Sequence, residues 1–135
     1  MSDRRLPMLG ARLAVLASDA RSVLLAGATS DVPTDGLARA VVTALGETGR
    51  GARAVDLADN PDLAAGGSSA SPASTVTVIA GRGLLDDPAT LLTARRVDAI
   101  VVVVRRGRTT RRDLQEVRRE LMEVGAPLVG SIVVD

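Results

Sequence analysis

With 135 residues, 46% of them apolar and 24% charged, the chain suits one domain with a real core, and its net charge of +1 argues against a strongly electrostatic nucleic-acid binder. It contains no Cys, no His and no Lys, and all 17 basic residues are Arg. Disulfides, thiolate or imidazole metal ligands, a histidine base, a Schiff base and a phosphate-loop lysine are thereby excluded.

Phe, Tyr and Trp are also missing, so the core must be filled by Val, Leu, Ile, Ala and Met. The same absence removes the stacking platform of most single-strand nucleic-acid binders. No apolar run approaches the roughly 20 residues of a membrane span. Residues 1–10 lack the apolar segment and cleavage pattern of a signal peptide. A soluble, cytoplasmic chain with a single domain over 1–135 is expected.

Leu9, Leu13 and Leu16 fall at helical spacing and predict a short helix over 6–17. The apolar run Ser22–Gly27 predicts a buried strand. Residues 28–35 are turn-rich. Leu37, Val41, Ala44 and Leu45 then mark one face of a helix over 36–48, capped by Thr34 or Asp35 and stopped by Gly49 and Gly51. Strands follow at 52–57 and 75–80, with a Ser/Gly/Ala loop at 64–74 between them. A short helix is expected over 88–96, with Asp86 or Asp87 as cap. Residues 99–105 (AIVVVVR) form the clearest strand. The clearest helix follows over 110–124, with Leu114, Val117, Leu121 and Val124 on one face. Gly125 and Pro127 end it, and 128–134 is the last strand.

Strands alternate with helices along most of the chain. This pattern predicts an α/β fold of three layers, with a mostly parallel sheet of about five strands and right-handed crossovers. Ligands on such sheets bind at the carboxyl ends of strands, which points to 27–36 and 80–88.

Strand, loop, helix over 22–48 is the arrangement that wraps phosphates in backbone N–H groups, sets a Lys on the terminal phosphates and sets a Ser or Thr on magnesium. Here the loop reads Ala28-Thr29-Ser30-Asp31-Val32-Pro33-Thr34-Asp35-Gly36-Leu37-Ala38-Arg39. The segment resembles the loop S-x-x-P-G-E-G-K-S-T of the bacterial tyrosine kinases (BY-kinases) of polysaccharide synthesis, within the MinD/ParA-like P-loop group. Pro33, Asp35 and Gly36 match. Thr34 replaces the first Gly, Leu37 the Lys and Ala38 the hydroxyl ligand.

Residues 76–135 carry the resemblance further. The family pattern V-D-x-V-V-L-V-V-R-x-G-x-T, a helix, then G-V-V-L-N, is met at Val97-Asp98, Val101–Arg105, Gly107, Thr109 and Gly130. Residues 6–18 lie where the family has a helix before its first strand. The departures point one way. The metal-orienting Asp at a strand end would fall near Ala80 or Gly81, and neither can coordinate. Asp56 is a relic of the D-x-D after the second strand, with Asp59 displaced by one position. The tyrosine cluster is absent, and Asp135 stands where the last strand closes on Asn.

The resemblance implies a P-loop-like fold whose site, at Pro33, Thr34, Asp35, Gly36, Leu37, Ala38 and Asp56, has lost its chemistry. Each such electrostatic contact is worth on the order of 3 kcal/mol in comparable sites. The implied role is a catalytically inactive regulatory or assembly module in capsular or exopolysaccharide synthesis. No metal or cofactor is expected, and the membrane anchor would lie elsewhere in a longer parent chain. Self-association or an active kinase would be its partner, at the inner face of the plasma membrane. The alternative is a divergent MinD/ParA-like ATPase binding ATP and Mg with Arg39 or Arg82 in place of the Lys.

Simpler roles fit several of these residues. Thr34 or Asp35 suffices as a helix cap, and Asp56 as a polar strand end. Arg105, Arg106, Arg108, Arg111 and Arg112 form the one dense basic cluster. It reads either as a site for an acidic partner, phosphate or anionic surface, or as a solvated helix start with Arg112–Glu116 and Arg119–Glu123 pairs. Arginines at a helix amino end oppose its dipole, which favours an outside partner.

Overall fold

The computed structural model describes residues 20–47, 49–60, 75–126 and 128–134. Five strands, β1 (Ser22–Gly27), β2 (Ala52–Asp56), β3 (Val76–Gly83), β4 (Ala99–Arg105) and β5 (Leu128–Val134), form one sheet in the order β2-β3-β1-β4-β5. Every pairing is parallel. Three α-helices join them: α1 (Asp35–Glu47), α2 (Pro88–Ala94) and α3 (Arg111–Glu123). The expected helix over 6–17 and the loop over 64–74 lie outside the described residues.

The two-residue period of the strands divides the core into two layers. On β1, Val23 and Leu25 join Leu37, Val41 and Leu45 of α1 on one face, with Val78, Val101 and Val103. Leu24 and Ala26 point the other way, to Ile79, Ile100, Val102, Ala94 of α2, and Val117 and Leu121 of α3. Both faces of the central strands are covered, which is why β1 and β4 read as unbroken apolar runs.

Helix ends follow local chemistry. Beyond α1, Gly49 takes φ +83°, its N–H reaches Gly46 O, and Arg50 N–H reaches Leu45 O, a Schellman closure. Asp87 caps α2 through Ala89 N–H, so of the two expected caps Asp87 serves and Asp86 does not. Thr110 and Asp113 form a capping box on α3.

Two boundaries differ from expectation by more than one residue. Helix α2 stops at Ala94, short of Arg96. Strand β3 runs on from the expected Ala80 to Gly83, past a shift in register between Leu25↔Ala80 and Gly27↔Gly83. The extension is possible because Gly81 and Gly83 lack side chains where Leu24 and the 29–30 backbone press in.

Candidate functional site

The chain leaves β1 towards β2 on one side and β3 towards β4 on the other, so β1 and β3 flank the point where the strand order reverses. In open α/β sheets the loops part there and leave the ligand crevice. In this protein the two loops are bound to each other instead. Leu84 N–H donates to Gly27 O and Leu85 N–H to Ala28 O, both at 2.9 Å. Ser30 N–H and Ser30 Oγ–H donate to the Asp86 carboxylate at 2.9 and 2.7 Å. Gly83 N–H donates back to Ser30 Oγ at 3.2 Å. Val32 is buried beside Gly27, and a Cβ on that glycine would collide with the Val32 side chain.

Thr34 takes part in the same closure. Its Oγ1 donates to Gly81 O at 2.7 Å in a buried position. The expected hydroxyl cap on α1 is therefore replaced by a bond to β3, while the Thr34 carbonyl accepts the first helical N–H, from Ala38. Asp35 opens α1 and meets Arg39 at 3.5 Å, with both side chains more than half exposed. Such a surface pair contributes little. Pro33 and Gly36 are exposed, and a Cβ on Gly36 would meet nothing within 4 Å.

Leu37 and Ala38 are 2% and 1% exposed, on the inward face of α1. Leu37 belongs to the core layer beneath that helix, so the position aligned with the lysine is a packing position here. Asp56 accepts Ala58 N–H at 2.9 Å and caps a single 3₁₀ turn at Leu57–Asp59, a role in keeping with a polar strand end. Asp35, Asp56 and Ala80 border both of two shallow cavities, of about 390 and 280 Å³. Arg39, Asp59 and Asn60 line the first, and Ser30, Thr34 and Arg82 the second. Among the described residues no group of three His, Cys, Asp or Glu side chains is placed to hold a metal.

The arginine cluster follows β4. Gly107, at φ +80°, turns the chain, with Arg108 and Thr109 N–H groups closing on Arg105 O. Arg105 is half-buried and its Nη1 donates to Asp31 O at 3.3 Å, while Arg106, Arg108, Arg111 and Arg112 are exposed. The cluster thus borders the 28–34 loop at Asp31. The Thr29 hydroxyl, with smaller help from Arg108 and Arg105, holds the Asp31 carboxyl below the usual carboxylate range. Arg112 meets Glu116 at 3.7 Å. Among the described residues Arg119 and Glu123 form no ion pair.

Sequence reasoning brought out the loop and the arginines but missed the link between Ser30 and Asp86. They lie 56 residues apart, and no periodicity or motif joins them. A second acid before the capping Asp87 was the one available signal.

Among the described residues no helix is long and apolar enough to cross a membrane. No protein-family model and no curated protein matches the chain. Among solved structures, the chain resembles the BceF tyrosine kinase domain at a TM-score of 0.65 and 13% identity, over 96% of this chain and 76% of that one. The order of strands, the helical layers on both faces and this likeness together show an α/β fold of the BY-kinase kind.

Proposed function

We propose that the chain is a catalytically inactive domain of BY-kinase type that works by recognition, as a regulatory or assembly module in capsular or exopolysaccharide synthesis. The observation that carries this is the closed junction between β1 and β3. Phosphoryl transfer depends on positioning and charge neutralisation. Here the Ser30 donors are taken by Asp86, Leu37 is in the core, and Ala80 and Gly81 offer no carboxylate. Mg·ATP fits this loop poorly.

In this reading the domain is cytoplasmic, beside the inner face of the plasma membrane, and its anchor lies outside these residues. Arg105, Arg106, Arg108, Arg111 and Arg112 would bind the partner, another copy or an active kinase. The ATPase alternative would need Arg39 or Arg82 to take the place of the lysine.

Titration calorimetry with Mg·ATP, alongside a phosphate-release assay, tests the proposal. Heat and turnover at background level are expected. Micromolar binding, or hydrolysis abolished by Gly36→Val, would overturn it.

A further inference from the structure

The sheet has two edges, β2 and β5, and they are finished differently. Strand β2 (ARAVD) ends in the exposed Asp56, the kind of charge that normally blunts an edge against pairing, while its Arg53 is half-buried. Strand β5 (LVGSIVV) carries no charge at all. Its outer side has no strand beside it among the described residues. Leu128, Val129 and Val133 are 39%, 41% and 49% exposed, and Met122 at the end of α3 is 80% exposed. Among the described residues three of the five large exposed apolar side chains thus lie on this one strand.

A groove of about 440 Å³ runs between the edge and α3. Its floor is Val102, Leu114, Val117 and Leu128, and its rim carries Arg111 and Arg118. Among the described residues no carboxylate lines it. Among the described residues neither arginine has an ion-pair partner. Of the acids of α3, Asp113 is spent in the capping box, and Glu116, Glu120 and Glu123 fall on the opposite side of the helix at 100° per residue.

We infer that the free edge of β5, with the groove under α3, is a docking site for an extended segment of another protein that adds beside β5 as a further strand. Backbone hydrogen bonds would supply the pairing, as in other edge-strand additions. The occupant's side chains are set by what they meet. By the two-residue period its carboxylates, on the α3 face, would meet Arg111 and Arg118, and its aliphatic groups, on the other face, would continue the layer of Ile132 and Val134. A second copy is disfavoured by the same charges, since two-fold pairing of β5 with itself would bring four arginines to one interface, with no acid among the described residues of β5 or the groove. The inference does not depend on what the 28–34 loop binds.

The test uses the whole chain and an end-blocked peptide of alternating Val and Glu. Controls are the same peptide with Lys for Glu, and one with Pro at alternate positions. Binding is read by fluorescence anisotropy and by amide shifts across 128–134. The Val/Glu peptide is expected to bind and to shift those amides, and the Pro peptide to fail. The double variant Arg111→Glu with Arg118→Glu should lose at least about tenfold in affinity and come to favour the Lys peptide. Val133→Glu, at an exposed position, should weaken binding while circular dichroism stays that of the parent. Absent binding, equal binding of the Glu and Lys peptides, shifts confined to other strands, or a β5-dependent dimer in sedimentation would each overturn the inference.

Discussion

The carboxylate of Asp86 accepts both the N–H and the Oγ–H of Ser30, at 2.9 and 2.7 Å, and so ties the loop after β1 to the turn after β3. A carboxylate is here held by the kind of donors that a phosphate loop offers its ligand. Removing it should cost about 1 kcal/mol, below the usual range for a charge-assisted bond because the pair is exposed. Asp86→Ala should therefore lower stability in urea unfolding by that amount. Hydrogen exchange should speed up at Ser30 and Gly83 and stay unchanged in β4. Unaltered protection at Ser30 would show that the contact does not hold the loop.

Two glycines at this site should respond in opposite ways to alanine. A Cβ on Gly83 would overlap Asp86, Thr29 and the Ser30 backbone, so the loop would have to move. Gly83→Ala is expected to cost about 3 kcal/mol, in the range of overpacked positions. Gly36 has open space, no positive φ and a place in α1, so Gly36→Ala should stabilise by about 0.5–1 kcal/mol. Denaturation midpoints of the two variants check both signs.

Leu37→Lys would return the residue type that the aligned loop carries at that position. The side chain at this position is 2% exposed and packed in the core, so the ammonium would be buried without a partner. A loss of about 3 kcal/mol or more is expected, with no gain of Mg·ATP heat in calorimetry. A stable variant that binds ATP would show that α1 can turn this position toward the loop.

The Asp31 carboxyl is held below its ordinary value of 3.8, first by the Thr29 hydroxyl and then by Arg108 and Arg105. A depressed folded-state value means the contribution to stability is present above the unfolded pKa and is lost as pH falls through the folded one. The window therefore lies below pH 3.8. Thr29→Val should raise the Asp31 midpoint in an NMR titration toward that value. Arg108→Gln should raise it less, and added salt should shrink only the arginine part.

Much of the fold is legible in the residues themselves. The short β-branched run Ile100–Val103 reads as a strand buried on both faces, and Leu114, Val117 and Leu121 as one inward helical stripe, because the period of burial is written into the order of side chains. Glycine at 49 and Thr110 with Asp113 fix helix ends through bonds that span a few residues. The loss of Lys at the 28–38 loop, and the lack of any His, Cys or Lys in the chain, are likewise facts of sequence.

The state of the loop was decided elsewhere. Ser30 meets Asp86 across 56 residues and Thr34 meets Gly81 across 47, and both contacts exist only because β1 and β3 lie side by side in the sheet. The extension of β3 to Gly83 and the place of β5 at the end of the sheet have the same origin. Burial periodicity acts along the chain and can be read there. Which strand neighbours which, and so which loops touch and which edge stays open, depends on contacts between segments far apart in sequence.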